Sequence, residues 1–291
     1  MPLAKPLPYW LDCNMELFDS LEGGNTQDEL KTSGSPGTGG DNVPLAYRMA
    51  PRTLEEYMGQ EHIVGEGKLL RRAVEADRVT SIILYGPPGT GKTALARIIA
   101  RRSRAAFKWL NAAVIGLDEL RKVLKEARDN KKRGIKTILF LDEIHRFNKL
   151  QQDALLPDVE EGALTLIAAT VENPFFYVNS ALLSRSQVFE LRSLEREHLV
   201  MLLNSAIADA ERGLGGMDIR ADADAIEHLA RMSDGDARKA LSALEIAALT
   251  TQPGADGTIH ITRHIARNQY RRRLLSMTRR ATSTMTPSRP S

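Results

Sequence analysis

Residues Ser81–Thr93 read SIILYGPPGTGKT. A short β-rich run ends there in a glycine turn, and beyond it Leu95, Ile98 and Ile99 recur at helical spacing. Strand, loop and helix in that order are the setting a phosphate loop needs, and GPPGTGKT, Gly86 to Thr93, meets the pattern in full. In such a loop Gly86, Pro87, Pro88, Gly89, Thr90 and Gly91 form the cradle. Its backbone N–H groups and the following helix N-terminus face phosphate oxygens, Lys92 reaches the β and γ phosphates, and the Thr93 hydroxyl ligates Mg²⁺.

A site of this kind, built on one parallel strand, needs a carboxylate at the end of a neighbouring strand to hold the Mg²⁺. The apolar run KTILFLD ends in Asp142, which fits that role. Glu143 follows it. Adjacent strand residues point opposite ways, so Glu143 is expected to polarise the attacking water rather than share the metal.

The strand–helix alternation continues along the chain. AFKWLN reads as a strand, and Leu117, Leu120, Val123, Leu124 and Ala127 mark a helix face. A helix is expected from about Lys149 to Glu160, with strands at LTLIAAT and VFEL. This is an α/β pattern with a parallel sheet covered on both faces, over residues 44–191. After Leu191 the strand signals stop. Glu195–Arg212, Ala223–Ser233 and Asp236–Leu249 carry helical periodicity, which predicts a small all-helical second domain over residues 192–262.

The flanks differ in composition. Residues 1–43 include SLEGGNTQDELKTSGSPGTGGDN, too poor in large apolar side chains to repay ordering, and are expected to be a flexible leader. From Arg263 to the end there are eight arginines and no acid, so taking those charges from the net +3 leaves −5 for residues 1–262. The basic character belongs to the tail, not to a surface of the folded part. A single cysteine excludes an internal disulfide or a zinc ribbon. No run approaches the roughly 20 apolar residues that span a bilayer. The expectation is a cytoplasmic protein with no membrane partner.

Two arginines stand where hydrolysis would use positive charge on the γ phosphate. Arg185, in ALLSRSQVFEL, follows the LIAAT strand, and Arg238, in GDARKAL, opens a helix of the second domain. On residue chemistry alone each also fits a solvated surface charge.

The phosphate loop, LFLDE, the polar end of LIAAT, LLSR and GDAR together resemble an AAA+ ATPase in order and spacing. GQEHIVG, DEIHRFNKLQQDALLP, ATVENPFFYVN and GDARKALSALE resemble the replication-associated recombination branch, bacterial relatives of Werner-helicase-interacting protein. That likeness runs from about Pro44 to Thr262. It implies an AAA+ P-loop fold with a helical lid, ATP and Mg²⁺ as cofactors, and DNA-stimulated ATP hydrolysis at stalled forks. By the same likeness Thr170 is the sensor-1 position with Asn173 nearby, Arg185 the arginine finger and Arg238 sensor 2. Ile63 and Val64, within GQEHIVG, lie in the segment that meets adenine. DNA forks, ends and single-strand/double-strand junctions, further copies of the chain and single-strand-binding protein are the implied partners. Ala168, Val171, Asp158 and Ser242 depart from the family pattern without removing a catalytic group.

The ends depart further. SMTRRATSTMTPSRPS resembles nothing in the family, yet one permissible codon choice for it, read one register over, gives a family-like run. The expectation is a frameshifted end of a longer protein lacking the regions that assemble a tetramer; the alternative is a basic DNA-binding arm. MELFD at Met15 resembles a usual family start, which marks residues 1–14 as over-called. A clamp-loader-like subunit and a nucleotide-binding module with little hydrolysis are the other functions open to this sequence.

Overall fold

The computed structural model describes residues 43–103 and 105–267. The expected leader, apart from Val43, and the expected frameshifted end lie outside the described residues. Helices α1 (Leu45–Arg48), α2 (Glu61–Val64) and α3 (Leu69–Glu75) precede strand β1 (Ile82–Tyr85). Then come α4 (Lys92–Ser103), β2 (Ala106–Asn111), α5 (Leu117–Lys132), β3 (Thr137–Asp142), a single 3₁₀ turn at Ile144–Arg146, and α6 (Lys149–Glu160). Strand β4 (Thr165–Thr170), α7 (Pro174–Tyr177), α8 (Ser180–Ser184) and β5 (Gln187–Glu190) complete the first part. The second contains α9 (Arg196–Ala208), β6 (Ile219–Ala221), α10 (Ala223–Met232), α11 (Ala237–Thr250) and β7 (Ile259–Ile261).

The five strands of the first part form one parallel sheet in the order β2-β3-β4-β1-β5. Alternation along each strand sorts its side chains between two cores. Ile82, Leu84, Ile138, Phe140, Ile167 and Ala169 face α2, α3 and α4, while Ile83, Leu139, Leu141, Leu166 and Ala168 face α5, α6 and α8. Asp142 continues the Ile138–Phe140 series. The strand therefore delivers its carboxylate to the face on which α4 begins at Lys92.

Two expectations about the second part are corrected. It is not all helical: β6 and β7 pair in parallel, Ile219 with Ile259 and Ala221 with Ile261. Three-residue strands leave too little alternation to register as a pattern, and their role is to close the apolar end of the lid, where Ile261 is fully buried. The boundary at residue 44 also fails for α1. Leu45 and Met49 join the lid core with Leu199, Leu203, Leu229, Leu241 and Leu244. The Leu45 N–H donates to Glu245 Oε1 at 2.8 Å, and Arg48 donates to the carbonyls of Arg212 and Gly213, each at 2.8 Å.

Asp158, one of the departures from the family pattern, is 1% exposed. Arg128 answers it with two hydrogen bonds, Nε to Oδ1 at 2.6 Å and Nη2 to Oδ2 at 2.8 Å, which join α5 to α6. Arg128 is half exposed, but removing it strands the buried Asp158 carboxylate. Arg128→Met should lower the unfolding free energy by about 3 kcal/mol, read in urea, and adding Asp158→Leu should recover most of that loss. Equal losses in the single and double variants would show that the pair is not what joins these helices.

Candidate nucleotide site

Strand β1 ends at Tyr85, the chain turns through Gly86–Gly91, and α4 opens on Lys92. The loop is braced from inside by Thr90 Oγ1, which donates to Pro87 O at 2.9 Å, and from beneath by the buried Tyr57, whose hydroxyl donates to Thr90 O at 3.3 Å. Burial pushes the Tyr57 phenol far above its ordinary range, so it stays a neutral donor. The lid caps the loop's apex. Ala237 N–H donates to Gly89 O at 3.2 Å, and a Cβ on Gly89, whose φ is +71°, would overlap the Asp236 carboxylate. Asp236 in turn caps α11 through Lys239 N–H at 3.0 Å.

Lys92 is 9% exposed, and its ammonium donates to Gly86 O and Pro87 O, both at 2.8 Å. Burial lowers its pKa; Asp142 and Glu143 oppose that shift, and Arg238 adds to it. Asp142 is pushed up by burial and next by the Glu143 charge, against the pull of Lys92 and Arg238. These four groups, drawn from α4, β3 and the lid, therefore share one electrostatic site. Thr93 stands in the first turn of α4, directly after Lys92. A buried carboxylate held up by a like-charged neighbour is one that a divalent cation would relieve, so Asp142 and Thr93 suit Mg²⁺ beside a nucleotide's phosphates.

The acid pair is arranged differently from the expected strand alternation. Strand β3 stops at Asp142, and Glu143 takes a left-handed conformation, φ 57° and ψ 40°, costly for a residue with a side chain. A backbone turn, not the pleat, separates the two carboxylates. Asp142 Oδ1 accepts from the Glu143 N–H at 3.1 Å, and Arg146 N–H closes the turn onto Glu143 O at 2.8 Å.

Thr170 ends β4, next to β1 in the sheet, and is 1% exposed. Its Oγ1 lies 2.9 Å from His145 Nδ1, and the opposite ring nitrogen lies 3.3 Å from Glu143 Oε2. Asn173 is exposed and accepts from Phe175 N–H at 3.1 Å, a helix cap rather than a group turned to the site. Ile63 and Val64 are each 4% exposed in the core beneath α4.

Arg185 stands apart from this cluster. Exposed at the end of α8, its guanidinium meets Glu160 Oε1 at 2.6 Å and donates to Ala181 O at 3.0 Å. Sequence reasoning missed Tyr57, His145, Gln60 and Asp236. Gln60 is fully buried, donates to Arg192 O at 2.7 Å and accepts from Arg192 N–H at 3.0 Å, which ties the GQEHIVG segment to the chain entering the lid. A fully buried polar residue in a loop leaves no periodic trace. His145 did stand inside a stretch singled out for its acids.

The profile of the ATPase family associated with various cellular activities (AAA) matches residues 82–194, and that of the AAA C-terminal domain matches residues 214–283, past the expected end of the lid at 262. The chain belongs to the AAA ATPases. Replication-associated recombination protein A of Escherichia coli is 49% identical over 205 residues, 70% of this chain and 46% of that protein. Its Bacillus subtilis namesake is 46% identical over 219 residues, 75% of this chain and 51% of that protein. ATPase WRNIP1 of Dictyostelium discoideum is 43% identical over 70% of this chain and 23% of its own length. The chain thus spans about half the length of its bacterial relatives. Among solved structures, the Holliday junction branch migration motor RuvB of Thermotoga maritima superposes with a TM-score of 0.61 at 25% identity, covering 76% of this chain and 72% of that one. The sheet order corrects one expectation: the strand that ends in Asp142 is not the neighbour of the strand that enters the loop, because β4, ending in Thr170, lies between them.

Proposed function

We propose that this chain is a Mg²⁺-dependent ATPase of replication-associated recombination, stimulated by DNA at stalled forks, duplex ends or single-strand/double-strand junctions in the bacterial cytoplasm, at the nucleoid. The observation that supports the ATPase reading best is the Gly86–Gly91 loop at the head of α4, with Lys92 buried and bonded to Gly86 O and Pro87 O at 2.8 Å and Asp142 ending β3 on the same face. The names of the relatives support the setting, and among the described residues no helix is long and apolar enough to cross a membrane.

Bound ATP with Mg²⁺ supplies the phosphoryl group and the cation that neutralises its developing charge. The chain does the rest. Lys92 exchanges its two carbonyl partners for phosphate oxygens, and Asp142 with Thr93 holds the cation. Glu143 orients a water and takes its proton as the oxygen attacks, while Thr170 and Arg238 donate to oxygens that gain charge. Ile63 and Val64 present the apolar floor under the base. Steady-state ATP hydrolysis with and without forked DNA tests this, the expected result being a rate that rises with the fork. A rate indifferent to every DNA structure would remove DNA from the proposal, leaving partners such as single-strand-binding protein to be sought separately.

A second reading, a nucleotide-binding module with slow turnover as a monomer, is favoured by one observation. Arg185 is exposed and its guanidinium is bound to Glu160 of its own chain at 2.6 Å. We infer that it acts in a neighbouring copy's site, and that hydrolysis needs assembly. Arg185→Ala should lower hydrolysis about 1,000-fold with ATP binding unchanged. Mixing it with a Lys92→Met copy, which brings an intact Arg185, should restore part of the rate. No recovery on mixing would place Arg185 outside any shared site.

A further inference from the structure

We infer that His145 is a positioning residue, a polar relay between Thr170 and Glu143. This rests on the ATPase reading and names how its water-activating group is held. The 3₁₀ turn after the left-handed Glu143 folds His145 back between the ends of β3 and β4. Its side chain is 8% exposed, and Tyr177 meets the ring edge-on, centroids 6.1 Å apart at 70°. The imidazole is thus fixed in plane by packing and at both nitrogens by polar contacts.

The hydrogen positions follow from donor counting. Glu143 Oε2 at 3.3 Å from Nε2 is a carboxylate oxygen that only accepts, so Nε2 carries the proton. At the other nitrogen, Nδ1 shares a hydrogen bond with the Thr170 hydroxyl at 2.9 Å, and Thr170 Oγ1 also accepts from the Glu172 N–H at 3.0 Å. Thr170, His145 and Glu143 thus form one contiguous series of polar contacts. The opposite tautomer would set the Nε2 lone pair against a carboxylate.

His145 thereby holds Glu143 in the orientation that its left-handed turn sets, with Oε2 3.3 Å from Nε2, and ties that orientation to Thr170 at the other ring nitrogen. Without the imidazole Glu143 loses the contact that orients it toward the attacking water, and without Thr170 the imidazole loses its partner at Nδ1.

The test uses side chains that separate the relay from packing. His145→Gln keeps one N–H donor and one acceptor at a spacing close to that of the imidazole, whereas His145→Phe keeps the ring against Tyr177 and removes both. With the full chain, the relay requires His145→Phe to lower kcat by about 10- to 100-fold, with KM for ATP and the affinity for a fluorescent ATP analogue within about threefold of wild type. His145→Gln should stay within about threefold in kcat. The Thr170→Val and His145→Phe changes should not multiply, the double variant being no slower than the slower single. Full activity in His145→Phe, failure of glutamine to rescue, or multiplicative losses would each overturn the relay while leaving the ATPase intact. Absence of hydrolysis in the wild type would overturn the ATPase reading itself and the relay with it.

Discussion

Glu143→Gln is expected to reduce ATP hydrolysis by about 100- to 10,000-fold while leaving ATP binding intact. The amide has the shape of the carboxylate and can still accept from His145, which lies 3.3 Å from Oε2, so the local structure persists. What it lacks is a site for the proton that water must lose as its oxygen attacks. The substitution has a second effect, of opposite direction on binding. The Glu143 charge is the largest influence after burial that pushes the Asp142 carboxyl up, so its removal makes Asp142 easier to ionise and a better ligand for Mg²⁺. The variant should therefore hold ATP at least as tightly as the wild type and trap it unhydrolysed. Phosphate release and equilibrium titration with a fluorescent ATP analogue separate the two quantities. Hydrolysis within about threefold of wild type would show that Glu143 is not the group that activates water.

Much of this was legible in the sequence, for reasons that differ from part to part. The order of strands and helices in the first part was readable because a sheet buried on both faces needs continuous apolar runs such as ILFL, bounded by turns. Lys92, Thr93 and Asp142 could be singled out as candidates because a phosphate loop constrains residue type at fixed spacing and the apolar run before Asp142 ends in a carboxylate. What escaped was whatever depends on contacts between distant segments. Leu45 and Met49 lie about 150 to 200 residues before the helices they pack on, in the run that leads to the sheet, and nothing in their spacing assigns them to the lid. Gln60 and Asp236 have meaning only against Arg192 and Gly89. The left-handed turn at Glu143 was hidden for a different reason: a strand pattern gives no sign of where its φ changes sign when no glycine marks the place. His145 follows from that turn, since only a chain that reverses there can set its imidazole against Thr170.

Lys92→Met will separate function from stability more sharply than any other change. The ammonium's pKa is lowered, chiefly by burial, so the charged form is disfavoured in the folded chain. The sign follows from linkage. With the folded pKa below the unfolded value, charge at this position destabilises the fold fully at pH values below the folded pKa, and the cost fades as pH rises toward the unfolded pKa. Methionine keeps much of the apolar stem and removes that cost at neutral pH. Against this stand two lost hydrogen bonds, to Gly86 O and Pro87 O, and Pro87 is exposed, so water can replace at least one of them. The two effects offset, and without nucleotide the variant should unfold within about 1 kcal/mol of wild type. ATP with Mg²⁺ should raise the wild-type melting temperature, since a ligand of the native state stabilises by RT ln(1 + [L]/Kd), and should leave the variant's unchanged. The lost charge–phosphate contacts should cost at least about 100-fold in affinity, enough to bring hydrolysis to background. A variant that still gains stability from ATP would move the phosphate site away from Gly86–Thr93. One that unfolds far below wild type without ligand would mean that the ammonium's bonds to the loop, and not its burial, dominate its energetics.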